Sequence, residues 1–368
     1  MIYLKRLIAG MTATLLAVIL VFSLPVSAIS ARSAILVDTA TGRVLYEKEI
    51  DRKSLIASTT KIMTALIVCE QCNVLDRVRI TGESVGIEGS SMYLQQGEIL
   101  TVQELLYGLM LHSGNDAATA LAIYCAGTIE SFAELMNDKA RMLGLSNTHF
   151  SNPSGLDAED HYSTARDLSV LASYAMENPI FSKIVATKST KIGERFLRNH
   201  NKLLWQLEGA DGVKTGYTRA AGRILVSSVK RQGRRLVAVT ISAPDDWQDH
   251  TELIEYGFSQ FHEKSIIAQD EVLGGIEVAG GKEDSVELIA KESFSYPVAS
   301  HEKIEICLPA PDFVYAPVVY GQAAGYACVY IENQLIGQVP IYYGQTVEQR
   351  PEPDKSFWHW LFGGKDYE

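Results

Sequence analysis

Apolar residues recur at helical spacing through the first half of this chain and switch to alternation near residue 214. That switch confines the fold to few options. Ile62, Met63, Ala65, Leu66 and Val68 mark one face of a helix with no Gly or Pro to break it, so Ser58 stands at or near a helix start. Thr101-Val102-Gln103-Glu104 is a capping box ahead of Leu105, Leu106, Leu109 and Met110. That helix halts at Ser113-Gly114-Asn115, and Asp116 is positioned to cap another helix running to Cys125. Residues 132–143 form an amphipathic helix closed by Gly144, and residues 165–176 a further one after a turn-rich loop at 151–162. Residues 213–217 then read as a strand, followed by a hairpin of 223–229 and 236–242 around Gln232-Gly233. An opening hairpin, 34–37 with 44–46, and a last helix near 253–261 complete the set. The expected class is α/β, a largely antiparallel sheet flanked by helices.

Four segments are expected. Residues 1–28 carry Lys5 and Arg6, an apolar run and the small residues Val26-Ser27-Ala28, the pattern of a cleaved signal peptide. An uncleaved anchor is the competing reading, barely long enough to span and broken by Pro25. Either reading exports the protein from the cytoplasm. Residues 29–263 form the main domain. Residues 264–347 form a small all-β domain, with strands around 286–288, 304–306 and 327–331, a turn at Glu332-Asn333 and a break at Gly337-Gln338-Val339-Pro340. The tail, 348–368, is polar apart from Phe357, Trp358, Trp360, Leu361 and Phe362, which suit peripheral membrane contact and are too few to span.

Removing Lys5 and Arg6 takes the formal charge from −11 to −13. Such a surface repels phosphates and argues against nucleic acid as a partner. The five cysteines include a lone Cys69-Glu70-Gln71-Cys72, which without a second pair or nearby histidines reads as small buried or incidentally paired thiols. The eight histidines form no ligand-spaced set, so no metal or cofactor is expected.

Ser-x-x-Lys occurs three times, at Ser58–Lys61, Ser227–Lys230 and Ser300–Lys303. On a helix the two side chains share a face, whereas in a strand they point apart. Only Ser58–Lys61 falls on a helical pattern. A serine hydroxyl needs a base within reach, and lysine near its ordinary pKa of about 10.4 cannot accept a proton. Burial and a second cation lower that value, and Lys214 is the available cation. Ser113 is placed to relay a proton to a departing amine, and Asn115 to bind a substrate amide. In Lys214-Thr215-Gly216, the lysine and the threonine hydroxyl can hold a terminal carboxylate, and Gly216 admits a substrate backbone. The N–H groups of Ser58 and Tyr217 are candidates for an oxyanion hole.

These motifs, in this order, resemble the low-molecular-weight penicillin-binding proteins, the serine-type D-alanyl-D-alanine carboxypeptidases. The likeness spans Ala34 to Phe261 and includes Ala57-Ser58-Thr59-Thr60-Lys61, Leu111-His112-Ser113-Gly114-Asn115-Asp116, His161-Tyr162-Ser163-Thr164-Ala165 and Asp211-Gly212-Val213-Lys214-Thr215-Gly216-Tyr217. It implies a β-lactamase/transpeptidase-like domain followed by a small all-β domain. It also implies an acyl-enzyme on Ser58 with Lys61 as proton acceptor, peptidoglycan stem peptides ending in D-Ala-D-Ala as substrate, and β-lactams as inhibitors. Two stretches depart from the pattern: no proline stands in Lys53-Ser54-Leu55-Ile56, and no arginine in Pro244-Asp245-Asp246-Trp247-Gln248-Asp249. The alternatives are a serine β-lactamase using a loop glutamate such as Glu159, a non-catalytic wall-binding homologue, and an esterase.

Overall fold

The computed structural model describes residues 29–351. The expected signal segment and the aromatic cluster at 357–362 lie outside the described residues. The chain divides into two compact units between Ser259 and Gln260.

In the first unit, β1 (Ser33–Asp38) and β2 (Val44–Lys48) form the opening hairpin. The Asp38 carboxylate holds its turn by accepting from the N–H groups of Ala40 and Thr41. Two short hairpins follow, β3 (Arg77–Arg79) with β4 (Ile99–Thr101) and β5 (Ser189–Ile192) with β6 (Arg195–Arg198). With β7 (Ala210–Thr218), β8 (Gly222–Arg231) and β9 (Arg234–Ile241), the main sheet runs β2-β1-β9-β8-β7, all antiparallel.

Eight helices are present among the described residues: α1 (Lys61–Gln71), α2 (Val102–Leu111), α3 (Asn115–Ala126), α4 (Ile129–Met142), α5 (Ala165–Glu177), α6 (Pro179–Val185), α7 (Leu203–Gln206) and α8 (Asp246–Gln260). Every residue of α1 from Lys61 to Cys69 is buried, so this helix is a core element rather than an amphipathic surface one. The Thr101 capping box on α2 is formed, with Thr101 and Glu104 satisfying each other's backbone N–H groups.

Alternation along β1 sends its side chains to two layers. Ile35 and Val37 join the large core with α1, α2 and α5, whereas Leu36 and Leu236 face Gly257 of α8 on the other side. Both faces of the sheet are therefore covered. Ser227 points to the α8 side, where its hydroxyl lies 2.6 Å from His250 Nδ1, while Lys230 is exposed. That pair cannot act together.

One local expectation is corrected. Asp116 does not cap α3. Its carboxylate accepts from Ser91 Oγ, Met92 N and Leu94 N, at 2.6, 3.0 and 3.1 Å. Asp116 lies inside the first turn, past the N-cap residue Gly114, and beside these three donors it accepts from Ala117 N at 2.9 Å.

In the second unit β10 (Phe261–Ile267) pairs with β13 (Phe294–Ala299). A six-stranded sheet contains β11 (Val272–Ala279), β12 (Ser285–Ala290), β14 (Ile304–Cys307), β15 (Phe313–Tyr315), β16 (Ala323–Ile331) and β17 (Gln334–Tyr343), in the order β14-β16-β17-β12-β11-β15. The unit is all-β. The expected break at 337–340 is absent, because β17 runs straight through it. The Pro340 carbonyl accepts from Lys291 N just past the last β12–β17 pair, Ala290↔Ile341. The missing N–H therefore falls where the ladder ends and costs no strand pairing.

Candidate active site

Ser58 lies in a single 3₁₀ turn, Ala57–Thr60, that leads directly into α1. The residue before it, Ala57, is held at φ +44°, in the left-handed region. One turn on, the Lys61 side chain is fully buried. Its Nζ lies 3.1 Å from Ser58 Oγ, 2.7 Å from Asn115 Oδ1 and 2.5 Å from the Ser154 carbonyl oxygen. Two of these partners can only accept. A neutral amine has two hydrogens, and Asn115 and Ser154 take both. In that form the lone pair is left for the one partner that can donate, the Ser58 hydroxyl, whereas the ammonium form donates all three bonds from Nζ. Burial pushes the Lys61 ammonium well below the usual lysine range, and the Lys214 charge adds to the effect, while Asp116 opposes it.

Asn115 opens α3, and its amide is engaged at both ends, with Nδ2 donating to the Glu88 carbonyl at 2.6 Å. Ser113, between α2 and α3, is held at φ +59°, which turns the chain between the helices. Its side chain is nearly buried and walls a cleft of about 920 Å³ together with Ser58, Thr215, Gly216 and Tyr217. Lys61, Asn115 and Lys214 are buried. All eight expected residues thus converge on one place, five on the cleft wall and three in the protein interior.

Strand β7 brings Lys214 to this place. Its ammonium donates to the Thr215 carbonyl at 2.8 Å, and burial lowers its pKa to about 7. Gly216 permits the approach of β7 to the serine turn: a Cβ there would stand 3.2 Å from the Ile56 carbonyl oxygen and 3.3 Å from the Ser58 nitrogen. The loop at 151–162 closes the other side. Asn152 Oδ1 accepts from the N–H groups of Ser154, Gly155 and Leu156, which fixes the Ser154 carbonyl towards Lys61. His161 Nδ1 accepts from Ser151 N, so Nε2 carries the hydrogen and donates to Thr60 Oγ1 at 2.7 Å. Burial holds this imidazole neutral, with a pKa lowered to about 4.

The D-alanyl-D-alanine carboxypeptidase family signature matches residues 21–245. The chain belongs to this family. The C-terminal domain signature of penicillin-binding protein 5 matches residues 261–349. The D-alanyl-D-alanine carboxypeptidase DacF of Bacillus subtilis is 32% identical over 327 residues, covering 84% of each chain. DacC of Escherichia coli is 34% identical over 343 residues, covering 87% of this chain and 85% of its own. Penicillin-binding protein 5 from Haemophilus influenzae superposes with a TM-score of 0.74 at 27% identity, covering 89% of this chain and all of the other.

The carboxypeptidase cleft also contains residues the motifs did not reveal. Arg198, on β6, and Arg223, on β8, line it with Trp205 and Trp247. Arg223 sits directly across from Tyr217 in the β7–β8 register, and its Nε donates to Asp246 at 3.0 Å. The stretch 244–249, which lacks an arginine, thus supplies the carboxylate that orients one from the neighbouring strand. The Arg198 guanidinium lies 5.0 Å from the Trp205 ring centre. The strand register at Tyr217 was the available signal for Arg223, while Arg198 lies on a four-residue strand too short to be read from periodicity. Glu159 is exposed on its loop and is absent from the cleft lining. Among the described residues no helix is long and apolar enough to cross a membrane.

Proposed function

We propose that this chain is a serine D-alanyl-D-alanine carboxypeptidase that removes the terminal D-alanine from peptidoglycan stem peptides outside the cytoplasm, with Ser58 as nucleophile. The observation that carries the reading is the buried Lys61 Nζ, 3.1 Å from Ser58 Oγ, with the Asn115 and Ser154 oxygens placed to take the two hydrogens of its neutral form.

Ser58 Oγ attacks the carbonyl of the penultimate D-alanine and its proton passes to Lys61 Nζ. The N–H groups of Ser58 and Tyr217 stabilise the oxyanion, a contribution of about 3 kcal/mol per donor. Collapse breaks the peptide bond and expels D-alanine, whose amine takes a proton relayed through Ser113. Water then cleaves the Ser58 ester. Asn115, expected to bind a substrate amide, has both ends of its own amide engaged and stands off the cleft wall, so its role here is to position Lys61. Lys214, Thr215 and Arg223 hold the substrate carboxylate, with Arg223 fixed by Asp246. Penicillin carries an equivalent carboxylate and acylates the same hydroxyl.

Mass spectrometry after benzylpenicillin treatment tests this, with D-alanine release from a pentapeptide followed in parallel. One drug adduct on the Ser58 peptide is expected, and none in Ser58→Ala. An adduct elsewhere, or D-alanine release by Ser58→Ala, overturns the proposal.

A further inference from the structure

Helices α1 and α3 meet at both ends. At one end the Lys61 amine donates to Asn115 Oδ1 at 2.7 Å. At the other, Cys72 caps α1 and Cys125 lies in the last turn of α3, and the two thiols are in hydrogen-bonding contact. Gln71 Oε1 reaches the Cys125 sulfur at 3.8 Å. Eleven residues of helix separate this contact from the catalytic amine, about 16 Å. Both sulfurs belong to half-buried residues, whereas Cys69, one turn earlier, is 8% exposed.

We propose that Cys72 and Cys125 are a modification site, a dithiol that closes to a disulfide and ties α1 to α3 at the end remote from the chemistry. Its relevance in the cell rests on the extracytoplasmic placement proposed above, where thiols are not kept reduced. Either thiol can attack once deprotonated, and the hydrogen bond from Cys72, which lowers the Cys125 thiol, favours Cys125 as the thiolate. Cys125 attacks one sulfur of a small-molecule disulfide such as oxidised glutathione and releases one thiolate. Cys72 then attacks the Cys125 sulfur of the mixed disulfide and releases the second. Two electrons and two protons leave the pair as two molecules of reduced thiol. The bridge closes the loop 72–125, which restricts the unfolded chain and leaves the packed helices in place.

The full-length protein is treated with oxidised glutathione, its remaining thiols are alkylated, and the digest is read by mass spectrometry. A linked Cys72–Cys125 peptide, about 2 Da lighter than its two halves, is expected. Oxidation should raise the thermal midpoint by roughly 5 °C or more, reversibly with dithiothreitol, and not in Cys125→Ser. Penicillin acylation should stay within about two-fold, since the bridge is far from Ser58. In the second unit Cys307 pairs with Cys328 across β14 and β16, so the linked peptide rather than the thiol count is the readout. Free Cys72 and Cys125, a Cys69–Cys72 link, a persistent glutathione adduct, or a bridge with no thermal shift each overturns the proposal. If the bridge forms and Ser58 takes no penicillin, the functional reading fails and this one stands.

Discussion

The Lys61 amine and the Asn115 amide oxygen are joined across 2.7 Å, although 54 residues separate them in sequence. Each residue opens its helix, so the contact locks two helix N-termini together. It also consumes one of the two hydrogens a neutral lysine possesses. Under the proposed mechanism Asn115 therefore sets which way the lone pair points, and it does so from outside the cleft lining.

Lys61→Ala should lower the rate of penicillin acylation by about 10³-fold or more, because no other described group takes the Ser58 proton. Stopped-flow acylation kinetics, with circular dichroism to verify folding, measure this. Asn115→Ala should lose less, because the amine remains and only its fixed orientation is lost.

Acylation should follow a bell-shaped pH profile. Lys61 must be neutral, so the rate falls as acid restores its proton; Lys214 must be charged, so the rate falls again as pH rises through about 7. Lys214→Gln should lower the plateau and abolish the alkaline limb. Stability has the opposite trend. With its folded pKa near 7 and an unfolded value of about 10.4, Lys214 binds more proton in the unfolded chain between these limits, so the thermal midpoint should rise with pH across that window.

Arg223→Ala should raise KM for a peptide ending in D-Ala-D-Ala by about 10- to 100-fold, the loss of a charge-assisted contact. The same peptide with its terminus amidated should be insensitive to the change. Equal losses on both peptides would remove Arg223 from carboxylate recognition.

Gly216→Ala places a Cβ 3.3 Å from the Ser58 nitrogen, closer than ordinary contact. Either β7 or the serine turn must yield. Acylation should fall roughly ten- to a hundred-fold, while the thermal midpoint moves little.

Asp116→Ala strips acceptors from Met92 N and Leu94 N, both in buried residues. The cost should be about 3 kcal/mol or more, measured by urea denaturation. The loop that supplies the Glu88 carbonyl to Asn115 loosens with it, so acylation should also weaken.

What could be read in advance follows from locality. Ser58 and Lys61 are one turn apart, so spacing alone gave their meeting, and Ser113, Asn115 and Lys214 were legible because each sits in a short motif beside a change of element. The strands of the main sheet announced themselves by alternation. The rest of the cleft is assembled from distant pieces. Arg198 lies on a four-residue strand and Arg223 on a long one, and only the β7–β8 register and the short β5–β6 hairpin bring them to Ser58. Asp116 misled for the same reason: its residue type suggests a cap, but it stands past the N-cap Gly114, and three donors from residues 91–94 share its carboxylate with Ala117 N. Pro340 misled because a proline breaks a strand only where its N–H is needed.

The carbonyl of Ser154 belongs to the main chain, so no side-chain replacement at that position can delete it. An acidic residue in its place would attract the proton back onto the lysine and silence the hydroxyl. A peptide dipole satisfies the amine without recharging it, so under the proposed mechanism this half of the proton-accepting apparatus is indifferent to the identity of the residue that carries it.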